Sequence, residues 1–385
     1  MIRICVLSIF LLGFASCEAQ KTKPKASVGA EQLDQLLPLL KDKRVGLVVN
    51  YTALVGKTHL VDTLFKSGAQ IKKIFGPEHG FRGDAADGEH VNDAVDAKTG
   101  APIVSLYGKN SKPTADQITD LDILIFDIQD AGARFYTYIS TMHYLMEACA
   151  ENGKKLIILD RPNPNGSYVD GPIMEPELKS FVGMHPIPIT HGMTVGELAQ
   201  MINGEGWLVG GKKCDMQIIK IKNWKHDDDY SLPVGPSPNL PNDRAVRLYP
   251  SICLFEGTVI SLGRGTRMPF QILGNPELKN MEFQFTPVAI KGMSIEPPLK
   301  DKLCYGIDLR TVTPARKVDL KYLILFYQLY PDKEKFFTPY FDKLAGTAHL
   351  KQQIKDGLTE EQIRTSWKPG LDAFNAKRKK YLLYP

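Results

Sequence analysis

From Lys43 onward the chain alternates short runs of β-favouring apolar residues with stretches whose apolar positions recur at helical spacing. Strands are predicted at 44–50, 70–75, 103–107, 121–127 and 155–160, and helices at 58–67 and 136–152. Val45-Gly46-Leu47-Val48-Val49 stops at Asn50, Ile123-Leu124-Ile125-Phe126 at Asp127, and Leu156-Ile157-Ile158-Leu159 at Asp160. Strands this continuously apolar are covered on both faces, as in a parallel sheet. Ligands of such sheets bind beyond the carboxyl ends of the strands. The loops expected to hold a site are therefore 50–56, 76–83, 127–134 and 160–166.

Past about residue 171 the βα rhythm breaks and Pro and Gly become frequent. A helix is predicted at 194–203 with a lead-in at 190–193, and a strand at 215–221. Pro233, Pro236, Pro238 and Pro241 favour a rigid extended loop. Glu256-Gly257-Thr258 and Gly263-Arg264-Gly265-Thr266-Arg267 read as turns rich in Gly and Arg. From Val318 the period is helical, ending in Lys377-Arg378-Lys379-Lys380, a solvated helix end. The expected fold is α/β: a Rossmann-like parallel-sheet domain over 29–172, followed by an α+β auxiliary domain over 173–385. There is no internal repeat.

The first residues are read as a targeting segment. Met1-Ile2-Arg3 is a short positive start, 4–14 is an apolar run too short to span a bilayer, and Phe14-Ala15-Ser16-Cys17 resembles a lipoprotein cleavage box. Residues 1–17 are thus a signal peptide and lipobox, and 18–28 a tether; ordinary cleavage near Ala19 is the alternative. Both predict export, to the periplasm or to a membrane surface, with contact to the bilayer only through a lipid on Cys17.

At 385 residues, 43% of them hydrophobic, the chain has the composition of an ordinary folded protein. Lys+Arg at 48 against Asp+Glu at 43 gives +5 without a long basic block, so nucleic acid is not an expected partner. Cys149, Cys214, Cys253 and Cys304 form no CxxC and carry no assigned chemistry. Neither GxGxxG nor GxxxxGK[ST] is present, so no dinucleotide or P-loop site is expected despite the Rossmann-like rhythm.

Polar residues gather in three strand-end loops. Gly76-Pro77-Glu78-His79-Gly80-Phe81-Arg82-Gly83 gives Glu78 the backbone freedom to project as a general acid, with Glu89 the second candidate. The alternative for Glu78 is to accept N–H bonds within its own turn. Asp127 and Asp130 are placed to hold a sugar hydroxyl or a catalytic water, or else to cap the following helix or pair with Arg134. Tyr136 and Tyr138 open that helix, where a tyrosine stacks on a sugar, donates to an oxygen or, more rarely, acts as a nucleophile. Asp160, Arg161 and Asn163 come from the third loop. Arg82, Arg134, Arg161 and Arg264 suit a substrate carboxylate or phosphate, although each alone is also compatible with a structural ion pair. His79 and His191 belong to no close-spaced ligand set, so metal is the minor reading.

Taken together, the 76–83 string, Phe126-Asp127-Ile128-Gln129-Asp130 with Arg134-Phe135-Tyr136-Thr137-Tyr138, Asp160-Arg161-Pro162-Asn163-Pro164, His191-Gly192-Met193-Thr194 and Gly263-Arg264-Gly265-Thr266 with Pro269-Phe270 closely resemble the exo-β-N-acetylmuramidase family. The resemblance covers nearly the whole mature chain. It implies an active-site cleft between a Rossmann-like and an auxiliary domain. It also implies release of N-acetylmuramic acid from the non-reducing end of peptidoglycan fragments, and the missing cofactor motifs and metal-ligand spacing lead to no expected cofactor or metal. The lactyl carboxylate of that sugar calls for a cation, which Arg82, Arg134 or Arg264 would supply. Glu78 is then the first choice of acid and Glu89 the second. The other catalytic group stays open between Asp127 activating water, Tyr136 stabilising a cationic transition state, and the substrate acetamide. His79, Arg82, Asp130, Arg134, Tyr138, Asp160, Arg161, Asn163, His191 and Arg264 make up the expected substrate-binding set. Val259 stands where the family often has Asn after Glu-Gly-Thr. Two other readings of the same residues are a non-catalytic muropeptide-binding lipoprotein and a metal-dependent hydrolase or deacetylase using His79 with Asp127.

Overall fold

The computed structural model describes residues 24–77, 80–82, 94–108 and 110–385. Among them, the strands of the first half are β1 (Arg44–Val49), β2 (Leu54–Val55), β3 (Thr58–His59), β4 (Gln70–Gly76), β5 (Ala94–Val95), β6 (Pro102–Ser105), β7 (Ile123–Asp127), β8 (Lys155–Leu159) and β9 (Met216–Ile219). β2 and β3 form a small hairpin, and the other seven make one sheet in the order β5-β6-β4-β1-β7-β8-β9. All its pairings are parallel except that of the edge strand β5 with β6. The sheet takes in β9, which lies past residue 172, where the sequence pattern places the end of the first domain.

The continuous apolar runs are explained by two layers of helix. On one face Val45, Leu47, Ile74, Ile125 and Ile157 pack against α1 (Leu33–Leu40) and α2 (Leu60–Lys66). The alternate residues Val48, Phe75, Leu124, Phe126 and Ile158 face the other way. With α3 (Ala115–Ile118) leading into β7, that second face is covered by α4 (Tyr138–Glu151) and α5 (Val195–Gly204). Period-two alternation is thus present, but both sets are buried, so neither face reads as polar. α5 starts where the sequence places a helix because Thr194 and Glu197 exchange bonds as a capping box.

The second half adds α6 (Asp243–Ile252), capped by Asn242, and an antiparallel sheet of β10 (Ile272–Asn275), β11 (Phe283–Phe285) and β12 (Cys304–Asp308) in the order β10-β12-β11. Helix α7 (Lys321–Leu329) and the C-terminal helix Glu360–Arg378 follow. The core over α4 and α5 continues without a break into this half through Leu248, Phe255, Phe270, Phe326 and Phe341. The two halves therefore share one apolar interior, and the cavity between them is walled by both. Among the described residues no helix is long and apolar enough to cross a membrane.

Candidate active site

In a doubly wound sheet the crevice for ligands opens where the strand order reverses. Here the chain runs from β1 out to β4 and β6 and then returns to β7, so the reversal lies between β1 and β7. That position is filled. Asp127, at the end of β7, is fully buried and takes a two-point ion pair from Arg161, Nε to Oδ1 at 2.6 Å and Nη2 to Oδ2 at 2.9 Å. Arg161 also donates to the Leu54 carbonyl. Beside them Thr52 donates to Asn50 Oδ1 and accepts from the Gln129 N–H.

The open space lies further out, in a cavity of about 950 Å³ between the loops that follow β6 and β7 and the second half. This is near the upper end for a small-molecule site. Its inner wall is aromatic: Phe135, Tyr136, Tyr138, Tyr249 and Phe270. Tyr136 meets Tyr138 edge-on at 5.0 Å and Tyr249 at 5.8 Å, and Tyr249 meets Phe270 at 5.0 Å. The Pro-rich loop supplies a second wall through Ser237, Asn239 and Leu240. Two tyrosines fasten it, since Tyr51 donates to the Gly235 carbonyl at 2.9 Å and Tyr136 to that of Pro236 at 2.6 Å. Glu256 and Arg264 face the space from the second half, and Glu277, Glu296 and Lys302 stand toward its exposed side.

Only some of the residues expected from sequence reach this cavity. Tyr136, Tyr138 and Arg264 line it. The Tyr136 hydroxyl is committed to Pro236, and burial pushes its ionisation well above the usual phenol range, so it is a proton-bearing wall residue and not an ionised nucleophile. Glu78, His79 and Glu89 lie outside the described residues. Their neighbour Gly76 pairs with Ser105, and Leu106 donates back to the Gly76 carbonyl, which sets the end of β4 beside Tyr107 on the cavity wall.

The remaining expected site residues hold the fold together and do not line the cavity. Asp127 and Arg161 neutralise each other as described. Arg134 is fully buried and, among the described residues, pairs with no carboxylate. It donates to the carbonyls of Pro172, Ile187, Leu344 and Ala345 at 2.7 to 3.0 Å, and burial pulls its pKa down to about 9. Arg82 lies over Phe81 and is shared between Asp62 and Asp96. Asp160 caps α5, accepting from Thr194 Oγ1, the Gly196 N–H and the Tyr384 hydroxyl, while burial raises its pKa to about 6. Asn163 bridges the Met193 carbonyl and the Asn165 N–H. Asp130 accepts from the Gly132 N–H, with burial raising its pKa to about 7. His191 Nε2 stands 3.8 Å from it, and burial lowers that histidine to about 3. The common reason is geometric. Loops leaving a parallel sheet must satisfy their own backbone before they can serve a ligand, and short polar side chains at strand ends do that work.

Sequence reading missed Glu256 as a site residue. It sits in the turn Cys253–Gly257 directly after α6, and Arg264 gives it two bonds, Nε at 2.8 Å and Nη2 at 2.6 Å, both to Oε1. The available signal was a carboxylate beside a glycine, Glu256-Gly257, eight residues before an arginine between two glycines, Gly263-Arg264-Gly265. Among the described residues no group of three or more His, Cys, Asp or Glu is arranged to hold a metal ion.

The carboxyl ends of an α/β sheet facing a cavity lined by aromatic rings, carboxylates and a guanidinium have the make-up of a saccharide-processing site. Residues 45–244 match the model for the N-terminal part of the exo-β-N-acetylmuramidase NamZ family, and residues 247–384 match that for its C-terminal part. The chain belongs to this glycosidase family. It is 43% identical over 388 residues to the peptidoglycan β-N-acetylmuramidase NamZ of Bacillus subtilis (strain 168), covering 94% of this chain and 92% of that protein. Two crystal structures of DUF1343 family proteins from Bacteroides fragilis NCTC 9343 are similar. One has a TM-score of 0.88 at 46% identity, covering 94% of this chain and 99% of the other. The second has a TM-score of 0.81 at 30% identity, covering 94% and 100%.

Proposed function

We propose that the protein is an exo-acting glycosidase that releases N-acetylmuramic acid from the non-reducing end of peptidoglycan fragments, in cell-wall turnover outside the cytoplasm. The observation that carries the reading is family membership along almost the full chain, joined to a cavity whose chemistry suits that sugar. Aromatic rings offer faces and edges to a pyranose, and Arg264 is a guanidinium apt for the lactyl carboxylate that distinguishes muramic acid from glucosamine. Glu78 is assigned the general acid and Glu89 its alternative. The apolar segment at 4–14 and Cys17 support export with a lipid anchor.

The test is incubation of the purified mature chain with the disaccharide of N-acetylmuramic acid and N-acetylglucosamine, muramic acid at the non-reducing end. Products are read by mass spectrometry with and without chelator. Free N-acetylmuramic acid in both samples is expected, and near-complete loss in Glu78→Gln. An intact disaccharide that calorimetry nonetheless shows to bind would replace hydrolysis by capture. Activity lost on chelation would replace it by metal-dependent chemistry.

A further inference from the structure

Hydrolysis of a glycoside passes through a transition state with positive charge on the anomeric carbon and ring oxygen, and a carboxylate facing that charge stabilises it. Asp127 cannot serve, being closed into the Arg161 fork and outside the cavity. Among the described residues three carboxylates line the cavity, Glu256, Glu277 and Glu296. Glu277 and Glu296 are exposed, and Glu296 is bonded to Lys300 at 2.8 Å. In exposed positions water screens a charge and weakens its effect on a reacting centre.

Glu256 differs in three respects. It shares the cavity wall with Tyr249 and Phe270 and is only 22% exposed, so its field acts in a partly dry space. The two bonds that Arg264 gives to Glu256 converge on Oε1, and neither reaches Oε2. Its mount is rigid: a Cβ on the following Gly257 would lie 2.4 Å from Phe341 Cα. Arg264 is mounted as firmly. Gly263 and Gly265 on either side both have positive φ, and a Cβ there would lie 2.6 Å from Ile272 and 2.4 Å from Pro297. A charged group held in place before the substrate arrives needs no reorganisation during reaction, which is the condition for electrostatic catalysis.

We infer that Glu256 is the anionic group of the reaction, its carboxylate held by Arg264 and placed to stabilise the positive charge that develops on the sugar. The inference rests on the glycosidase reading and extends it to a residue of the C-terminal half. Glu256 acts through its charge, so charge is what the test must read.

The experiment compares wild type, Glu256→Gln and Glu256→Asp in two assays. The first is turnover of 4-nitrophenyl N-acetyl-β-muramide, whose leaving group needs no acid. The second is calorimetric binding of N-acetylmuramic acid and of a protonated piperidine iminosugar carrying the same acetamido and lactyl groups, a mimic of the cationic transition state. In Glu256→Gln, kcat is expected to fall by roughly 10²- to 10³-fold. Affinity for the cationic iminosugar should fall by a similar factor, while that for N-acetylmuramic acid changes less than about threefold. Glu256→Asp, which retains the charge, should keep most of the preference for the cation. Equal loss of affinity for both ligands in Glu256→Gln, or kcat within about threefold of wild type, overturns the assignment. A wild-type protein that binds both ligands but turns over no muramide overturns the glycosidase reading itself, which is a different result.

Discussion

Asp127 and Arg161 leave the carboxyl ends of the adjacent strands β7 and β8 and close on each other, both carboxylate oxygens meeting guanidinium nitrogens in the place where a doubly wound sheet would open its crevice. The pair is a plug. It moves the usable space outward, to the cavity bounded by Tyr136 and Glu256.

If Asp127 is half of a buried plug, removing its charge strands the Arg161 cation. Asp127→Asn is expected to destabilise the protein by about 3 to 5 kcal/mol, the usual result of breaking a buried pair from one side. Specific activity of the folded fraction should stay within a few-fold of wild type. Denaturant titration with parallel assays measures both. A hundredfold fall in kcat at unchanged stability would return Asp127 to the chemistry.

Arg134 ties together carbonyls at 172, 187 and 344–345, two segments of the chain that meet under the cavity. Arg134→Met fills similar volume but leaves the carbonyls of Pro172, Leu344 and Ala345 without their donor, while that of Ile187 keeps the Met174 N–H. A loss of at least about 3 kcal/mol is expected, given a cost of 1 to 3 kcal/mol for each unsatisfied buried group and partial relaxation. Gly346 gives an independent check. Its φ is 72°, and a Cβ there would lie 2.4 Å from Arg134 Nη2, so Gly346→Ala should destabilise by the same route. Wild-type melting temperatures in both variants would refute the role.

These cases show what was legible in the sequence and what was not. The sheet was readable because each strand is a continuous apolar run with a polar stop, and Val45 to Val49 can hardly be anything else. α5 was readable from the helical spacing of its apolar residues over 194–203. The site was only partly readable. Arg134 and Asp160 have the residue types and loop positions of ligand-binding groups, yet each is used up by partners brought in from distant segments, Ala345 lying 211 residues from Arg134 and Tyr384 lying 224 residues from Asp160. Nothing local marks such a partner. Glu256 shows the converse: its turn looks like ordinary Gly-rich punctuation until Arg264 and the aromatic wall are folded beside it.

Asp130 allows a test by pH. Its folded pKa is raised to about 7 against an ordinary value of 3.8, so between those limits the folded state binds more protons than the unfolded state. Stability from this group is therefore lost as pH rises from about 4 to 7. Asp130→Asn keeps an acceptor for the Gly132 N–H and removes the titration. The melting temperature of the variant relative to wild type should climb across that window and level off above it. A difference that does not vary with pH would show that Asp130 is not protonated in the folded protein. Because Asp130 does not line the cavity, turnover of the muramide should change by less than about threefold.

Arg264 is the expected site residue whose place in the cavity makes it worth testing as the reader of the lactyl group. A fork binds a carboxylate at two points, whereas an ammonium binds it as a point charge. Arg264→Lys preserves a positive partner for Glu256 but not the fork, so it separates the two duties. The kcat/KM for the muramide is expected to fall by about 10- to 100-fold, in line with 1.5 to 3 kcal/mol for a charge-assisted bond. The matching N-acetyl-β-glucosaminide, which lacks the lactyl ether, is a poor substrate for wild type in this account and should lose far less. The measurement is the ratio of kcat/KM for the two glycosides. A ratio that falls toward one in Arg264→Lys and further in Arg264→Gln assigns carboxylate recognition to this residue. A ratio unchanged in both variants, with each substrate slowed equally, would remove the lactyl contact from Arg264 and move it to another cation, of which Lys302 lines the cavity among the described residues.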